Sequence, residues 1–137
     1  MVSANKTTIL REIEIPEAFI RMRQDGIVHV FYKENTTLDV ELQNRTVKLF
    51  REITNNKKAN FIFESDEGFY FTKEARENSI KLENNSPVNA SAIIVTNLAS
   101  RIIANFFIKV TKPKIKYKLF GTVEEATKWL RTVKIQK

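Results

Sequence analysis

The stretch RIIANFFIKVTKPKIKYKLF, residues 101–120, decides how the chain is read. Its apolar first half suits a membrane-seeking helix, and its lysine-rich second half suits a nucleic-acid contact. Together the halves also suit a buried helix followed by the last strand of a sheet. At about 100° per residue, Ala99, Ile102, Ile103, Phe106, Phe107 and Val110 share one stripe, with Arg101, Asn105 and Lys112 opposite. That spacing predicts a core helix over 99–110, in which burying each large side chain stabilises by about 1.5–3 kcal/mol. A membrane-surface helix more typically carries several lysines and arginines on its polar face, so the core reading is preferred. Pro113 ends the helix. Beyond it Ile115, Tyr117 and Leu119 alternate with Lys114, Lys116 and Lys118, the pattern of an edge strand, where lysine discourages edge-to-edge pairing. Those lysines repeat at about 7 Å on one strand face, with no aromatic among them to stack a base. No nucleic-acid partner is expected. Ala104 and Ile108, on the outer side of the predicted helix, are a candidate dimer face.

Upstream, IEIPEAFIRMRQDGIVHVFY holds two apolar-rich runs, 18–23 and 27–32, joined by Gln-Asp-Gly. Gly26 can take positive φ, so the pair reads as a β-hairpin, preceded by a short strand over 9–15 that Pro16 stops. Val40, Val47, Phe50 and Ile53 recur at helical spacing, with Thr37 as the expected N-cap and Asn55-Asn56 as the stop. NFIFE, residues 60–64, reads as a strand. A more polar helix opens at Thr72, and ASAIIVTN is the most apolar strand, as at the centre of a sheet. The chain closes on GTVEEATKWLRTV, where Thr122 and Glu125 form a capping box and Ala126, Trp129, Leu130 and Val133 form an apolar stripe. Trp129 is expected in the core. Alternating strands and helices imply a largely parallel sheet, and a strand order that follows the chain puts the crossover helices on one face.

The 137 residues suit one domain, with a short extension over about 1–8. The chain has no cysteine, one histidine and three glycines. Thiolate chemistry, cysteine zinc sites and glycine-rich phosphate loops are therefore excluded. No G-x-S-x-G elbow accompanies His29, which alternates with Ile27 and Phe31 as a sheet-face residue. No enzyme activity, metal or cofactor is expected. The net charge of +7 is uneven: residues 1–68 hold 10 Lys/Arg against 11 Asp/Glu, residues 69–137 hold 13 against 5. The start lacks a basic region followed by an apolar run, and no segment reaches the ~18 apolar residues of a membrane span, so a cytoplasmic protein is expected.

The segments DGIVHVFYKENTTLDVELQ, FTKEAR and LASRIIANFFIKVTKPKIKYKLFGTVEEATKWL resemble the SpoIIAA-like fold of STAS domains. The similarity is greatest to small bacterial STAS/SEC14-like proteins of uncharacterised function, and the ending KLFGTVEEATKWL carries most of it. The resemblance implies an α/β fold: a mostly parallel sheet with an N-terminal antiparallel hairpin and helices mainly on one face. It also implies a non-enzymatic regulatory or binding module acting through protein or small-ligand contacts. A carrier of lipid or another apolar small molecule is the alternative, in keeping with ten phenylalanines. Many STAS domains are switched by phosphorylation at the start of the helix after the third strand. Thr72 matches that position, but FYFTKEAR lacks the family's Asp-Ser-Ser-Gly type sequence, and threonine is equally a preferred helix cap. Phe69, Tyr70, Phe71 and Lys73 form a candidate ligand or partner loop near the carboxyl ends of the parallel strands.

Overall fold

The computed structural model describes residues 8–111 and 113–136. A six-stranded sheet runs through the molecule in the order β1 (Ile9–Ile15), β2 (Ala18–Arg23), β3 (Val28–Tyr32), β5 (Ala59–Ser65), β7 (Val88–Ile94) and β8 (Lys116–Phe120). The first three strands pair antiparallel and the rest parallel. Strand order in this sheet follows the chain, the condition under which the crossover helices fall on one face. Gly26 turns the β2–β3 hairpin at φ 82°, a conformation that costs a residue without Cβ little. Two remaining strands, β4 (Thr37–Leu38) and β6 (Tyr70–Phe71), form a separate parallel pair.

Helix α1 (Val40–Ile53) starts at Asp39, whose side chain accepts from the Leu42 amide at 2.8 Å. The expected cap, Thr37, pairs with Tyr70 in the small sheet instead. A carboxylate at the N-terminus adds the attraction of the helix dipole to the capping bond, which a threonine hydroxyl lacks. Asn55 and Asn56 stop the helix in the left-handed region, at φ 55° and 62°. Its buried stripe, including Leu42, Val47, Phe50 and Ile53, packs on Ile20, Val28, Val30 and Phe61 of the sheet. Phe61 sits at the centre, with ring centroids 5.0 Å from Phe50 and 5.7 Å from Phe63.

Helices α2 (Lys73–Leu82) and α3 (Leu98–Thr111) cross over on the same side as α1. Helix α4 (Val123–Leu130) follows the last strand and packs on the opposite face, against β5, β7 and β8. There Ala126 and Leu130 meet Ile27, Ile62, Ala90, Ala92 and Ile94 in a second core. Three of the four helices among the described residues therefore lie on one face, and α4 covers part of the other. The Thr122 cap forms as expected, its hydroxyl accepting from the Glu125 amide at 3.2 Å. Trp129 is only half-buried: it lies 5.7 Å from Phe120 at the margin, with Lys118 over both rings. Ala126 and Leu130 are the residues α4 buries.

A buried charge cluster fastens α4 to the hairpin. Arg23, 2% exposed, donates to Asp25 at 2.6 and 3.2 Å and to the Thr127 hydroxyl at 3.1 Å. Arg131 reaches the same carboxylate at 3.1 Å. Asn60, buried in β5, donates to the carbonyl oxygens of Leu130 and Val133 at the end of α4. On the same face His29 Nε2 lies 2.8 Å from Glu64. Burial holds the imidazole below its ordinary pKa of 6.5, with the Glu64 hydrogen bond opposing.

The structure reverses the expected facing of α3. Leu98, Ile102 and Ile103 are 73%, 59% and 57% exposed, whereas Ala104 and Ile108 are half-buried. Ala99 and Ile102 of the stripe expected in the core thus point outward, while Ile103, also exposed, borders an opening above the sheet. The helix meets α2 and β8 and spans that opening, so its inner side has no close-packed floor to cover.

Candidate functional site

That opening is a cavity of about 960 Å³ between the sheet and the three helices on its face. Its floor is alternating sheet residues: Phe63 from β5, Ser91 and Ile93 from β7, Tyr117 from β8. Side chains two apart on a strand share a face, and the register sets Ser91 beside Tyr117. Val47 and Phe50 of α1, Leu82 of α2, and Ile103 and Ala104 of α3 make apolar walls. Between α1 and α2 the wall is pinned by Gln43, which donates to the Ala75 carbonyl at 2.9 Å and the Ser79 hydroxyl at 2.8 Å. Gln43 Oε1 in turn accepts from Asn78 at 2.8 Å.

A few polar groups converge on this mostly apolar space. Glu83, buried at the end of α2, accepts the Lys114 amide at 3.0 and 3.2 Å. Burial, reinforced by the Glu83 charge and opposed by a Ser91 hydrogen bond, pushes the Tyr117 phenol up to about 12. Tyr117 is therefore a neutral hydroxyl at pH 7. Tyr32, under α1, is likewise raised above its ordinary 10.0 by burial, with a Thr46 hydrogen bond pulling the other way. Arg76 also lines the cavity, its Nη1 donating to the Phe71 carbonyl. Among the described residues Arg76 has no carboxylate partner, no buried side-chain polar atom lacks a hydrogen bond, and no His/Asp/Glu group is arranged to hold a metal.

The aromatic loop singled out in the sequence forms the rim. Phe69 stacks on Tyr32 at 5.0 Å and, like Phe71, packs against the main core, while Tyr70 is exposed. Gly68 holds φ 75° beside Asn35, where a Cβ would collide with the asparagine side chain. Asp66 and Glu67 are exposed beside it. Ala104, from the candidate dimer face, lines the cavity, whereas Ile108, Thr72 and Lys73 do not. The sequence reading missed Gln43, Arg76, Glu83, Ser91 and Tyr117. A serine in the most apolar strand, and a tyrosine in the apolar set of the next one, were signals that could have found two of them.

Thr72 is the N-cap of α2, its hydroxyl accepting from the Ala75 amide at 3.0 Å. Thr72→Ala should lower stability by about 0.5–2 kcal/mol in chemical denaturation, while Thr72→Asp should hold it, because aspartate also caps and suits the dipole. Loss of stability in Thr72→Asp as large as in Thr72→Ala would show that the hydroxyl does something other than cap.

A family described as "Domain of unknown function (DUF7793)" matches residues 20–134. The fold is similar to that of an uncharacterised protein of the DUF3478 family, with a SpoIIAA-like fold, from Shewanella loihica PV-4. That likeness has a TM-score of 0.53 at 14% identity and covers 95% of this chain and 99% of the other. At that identity it speaks for the fold alone. No curated protein matches the chain.

Proposed function

The chain belongs to this DUF7793 family of unknown function, and from that premise we propose that it binds a small amphipathic molecule, with an apolar body and an acidic head, between its sheet and helices. The observation that carries the reading is the cavity of about 960 Å³. Small-molecule sites typically run to about 300–1,000 Å³, mostly apolar with a few placed polar groups. Here the apolar body lies along Phe63, Ile93, Leu82 and Ile103, and the neutral Tyr117 hydroxyl offers an internal hydrogen bond. Arg76 is the group suited to the head, because a guanidinium offers several fixed donors to a carboxylate or phosphate. Glu83 stands on the Tyr117 side and disfavours a second acid there.

The test is binding of a fluorescent long-chain carboxylate and of the matching alcohol. Arg76→Gln should weaken the carboxylate about tenfold, or about 1.4 kcal/mol, and leave the alcohol unchanged. Ala104→Trp, which fills the cavity from α3, should weaken both. Failure of either probe to bind the native protein, or full binding by Ala104→Trp, overturns the reading.

A further inference from the structure

We propose that the outer face of α3 docks on a lipid bilayer bearing anionic headgroups. Leu98 and Ile102, more than half exposed, share the outer side of the most apolar helix of the chain, and Ile103, equally exposed, sits between that side and the cavity. At about 100° per residue, Lys109 falls within about 20° of both Leu98 and Ile102, and it too is exposed. An apolar strip with a cation set into it matches the boundary between acyl chains and headgroups.

The stretch from α3 through β8 carries one sign of charge, although α2, which α3 also touches, holds the exposed Glu74 and Glu77 beside Lys73 and Lys81. Between Glu83 and Glu124 the sequence has no Asp or Glu, while Arg101, Lys109, Lys112, Lys114, Lys116 and Lys118 all fall there. Lys114, Lys116 and Lys118 are exposed, on and just before β8, which α3 touches. That field draws the protein toward an anionic surface within a Debye length. It also decides against a second copy as the occupant. A two-fold pairing would set the same patch against itself, bringing Lys109 and its neighbours toward their own duplicates with no carboxylate on α3 between them. Three apolar side chains are moreover far short of the roughly 800 Å² per partner that stable interfaces bury. Because Ile103 and Ala104 also line the cavity, the docking helix is one of its walls. The surface itself stands on exposure and charge, whether or not the cavity is filled.

The experiment is co-sedimentation of the full chain with vesicles of phosphatidylcholine alone and of phosphatidylcholine mixed with phosphatidylglycerol, at low and physiological salt. The protein should pellet with the mixed vesicles, less so as salt rises, and stay in solution with the neutral ones. Ile102→Glu should weaken binding at least tenfold with the circular dichroism spectrum unchanged, since the side chain is exposed. Lys109→Glu should do the same, whereas Lys57→Glu, with the same change of charge in the exposed turn after α1, should bind as the native chain does. Arg76→Gln should also bind vesicles normally, which separates this surface from the ligand reading. Failure to pellet with anionic vesicles overturns the proposal. So does equal loss from Lys57→Glu, or a native dimer in sedimentation that Ile102→Glu splits.

Discussion

Asp25→Ala should cost the fold about 3–5 kcal/mol, because it leaves the Arg23 guanidinium buried without its counter-charge. Arg23 is 2% exposed, and both oxygens of Asp25 accept from it, at 2.6 and 3.2 Å. The same carboxylate accepts from Arg131 and from the Ile27 amide, so its loss also loosens the hairpin turn and the end of α4. The double variant Arg23→Met with Asp25→Ala should recover part of the loss, since the desolvation penalty leaves with the charge. Urea denaturation of the three chains measures both effects. A loss below about 1 kcal/mol in the single variant would mean that water reaches Arg23 and the pair is not structural.

Phe61→Ala should cost a similar 3–5 kcal/mol. Phe61 is fully buried in β5, between Phe50 and Phe63 and under α1, so removing its ring leaves a void that close-packed neighbours can only partly fill. Phe63→Ala is the informative control. Phe63 is half-buried and borders the cavity, so its truncation enlarges a space that already exists. It should cost less than Phe61→Ala and also weaken binding of the carboxylate probe. Equal losses for the two would mean that the cavity wall is packed as tightly as the core.

The candidate site was legible only at its rim. Phe69, Tyr70 and Phe71 stand out as an aromatic run after a strand, and the structure places them in the cavity lining, as it does Ala104. Gln43, Arg76 and Glu83 lie on helices whose polar residues look like any solvated face. Their convergence depends on how α1 and α2 are set against each other, which no spacing within one helix encodes. The candidate dimer face shows the same limit. Spacing alone puts Ala104 and Ile108 outside because it puts the stronger stripe inside, whereas in α3 Ala104 and Ile108 are half-buried and Ala99 and Ile102 exposed.

The sequence by itself determined the six strands of the main sheet, the four helices and their order along the chain, but not the short β4–β6 pair. Period-two and period-3.6 patterns, the glycine turn at Gly26, the caps at Thr72 and Thr122 and the paired asparagines after α1 are local properties, set by sterics and hydrogen bonds within a few residues. Only the tertiary structure decided which sides of those elements meet. A stripe on α3 says that something apolar is to be covered, not what covers it, and here the sheet beneath is held off by a cavity. Helix α4 follows the last strand and is bound by no crossover rule, so its face was open until the Arg23–Asp25 pair, Thr127 and Asn60 tied it to the far side. Those bonds join residues as many as 104 positions apart, a distance over which periodicity carries no information.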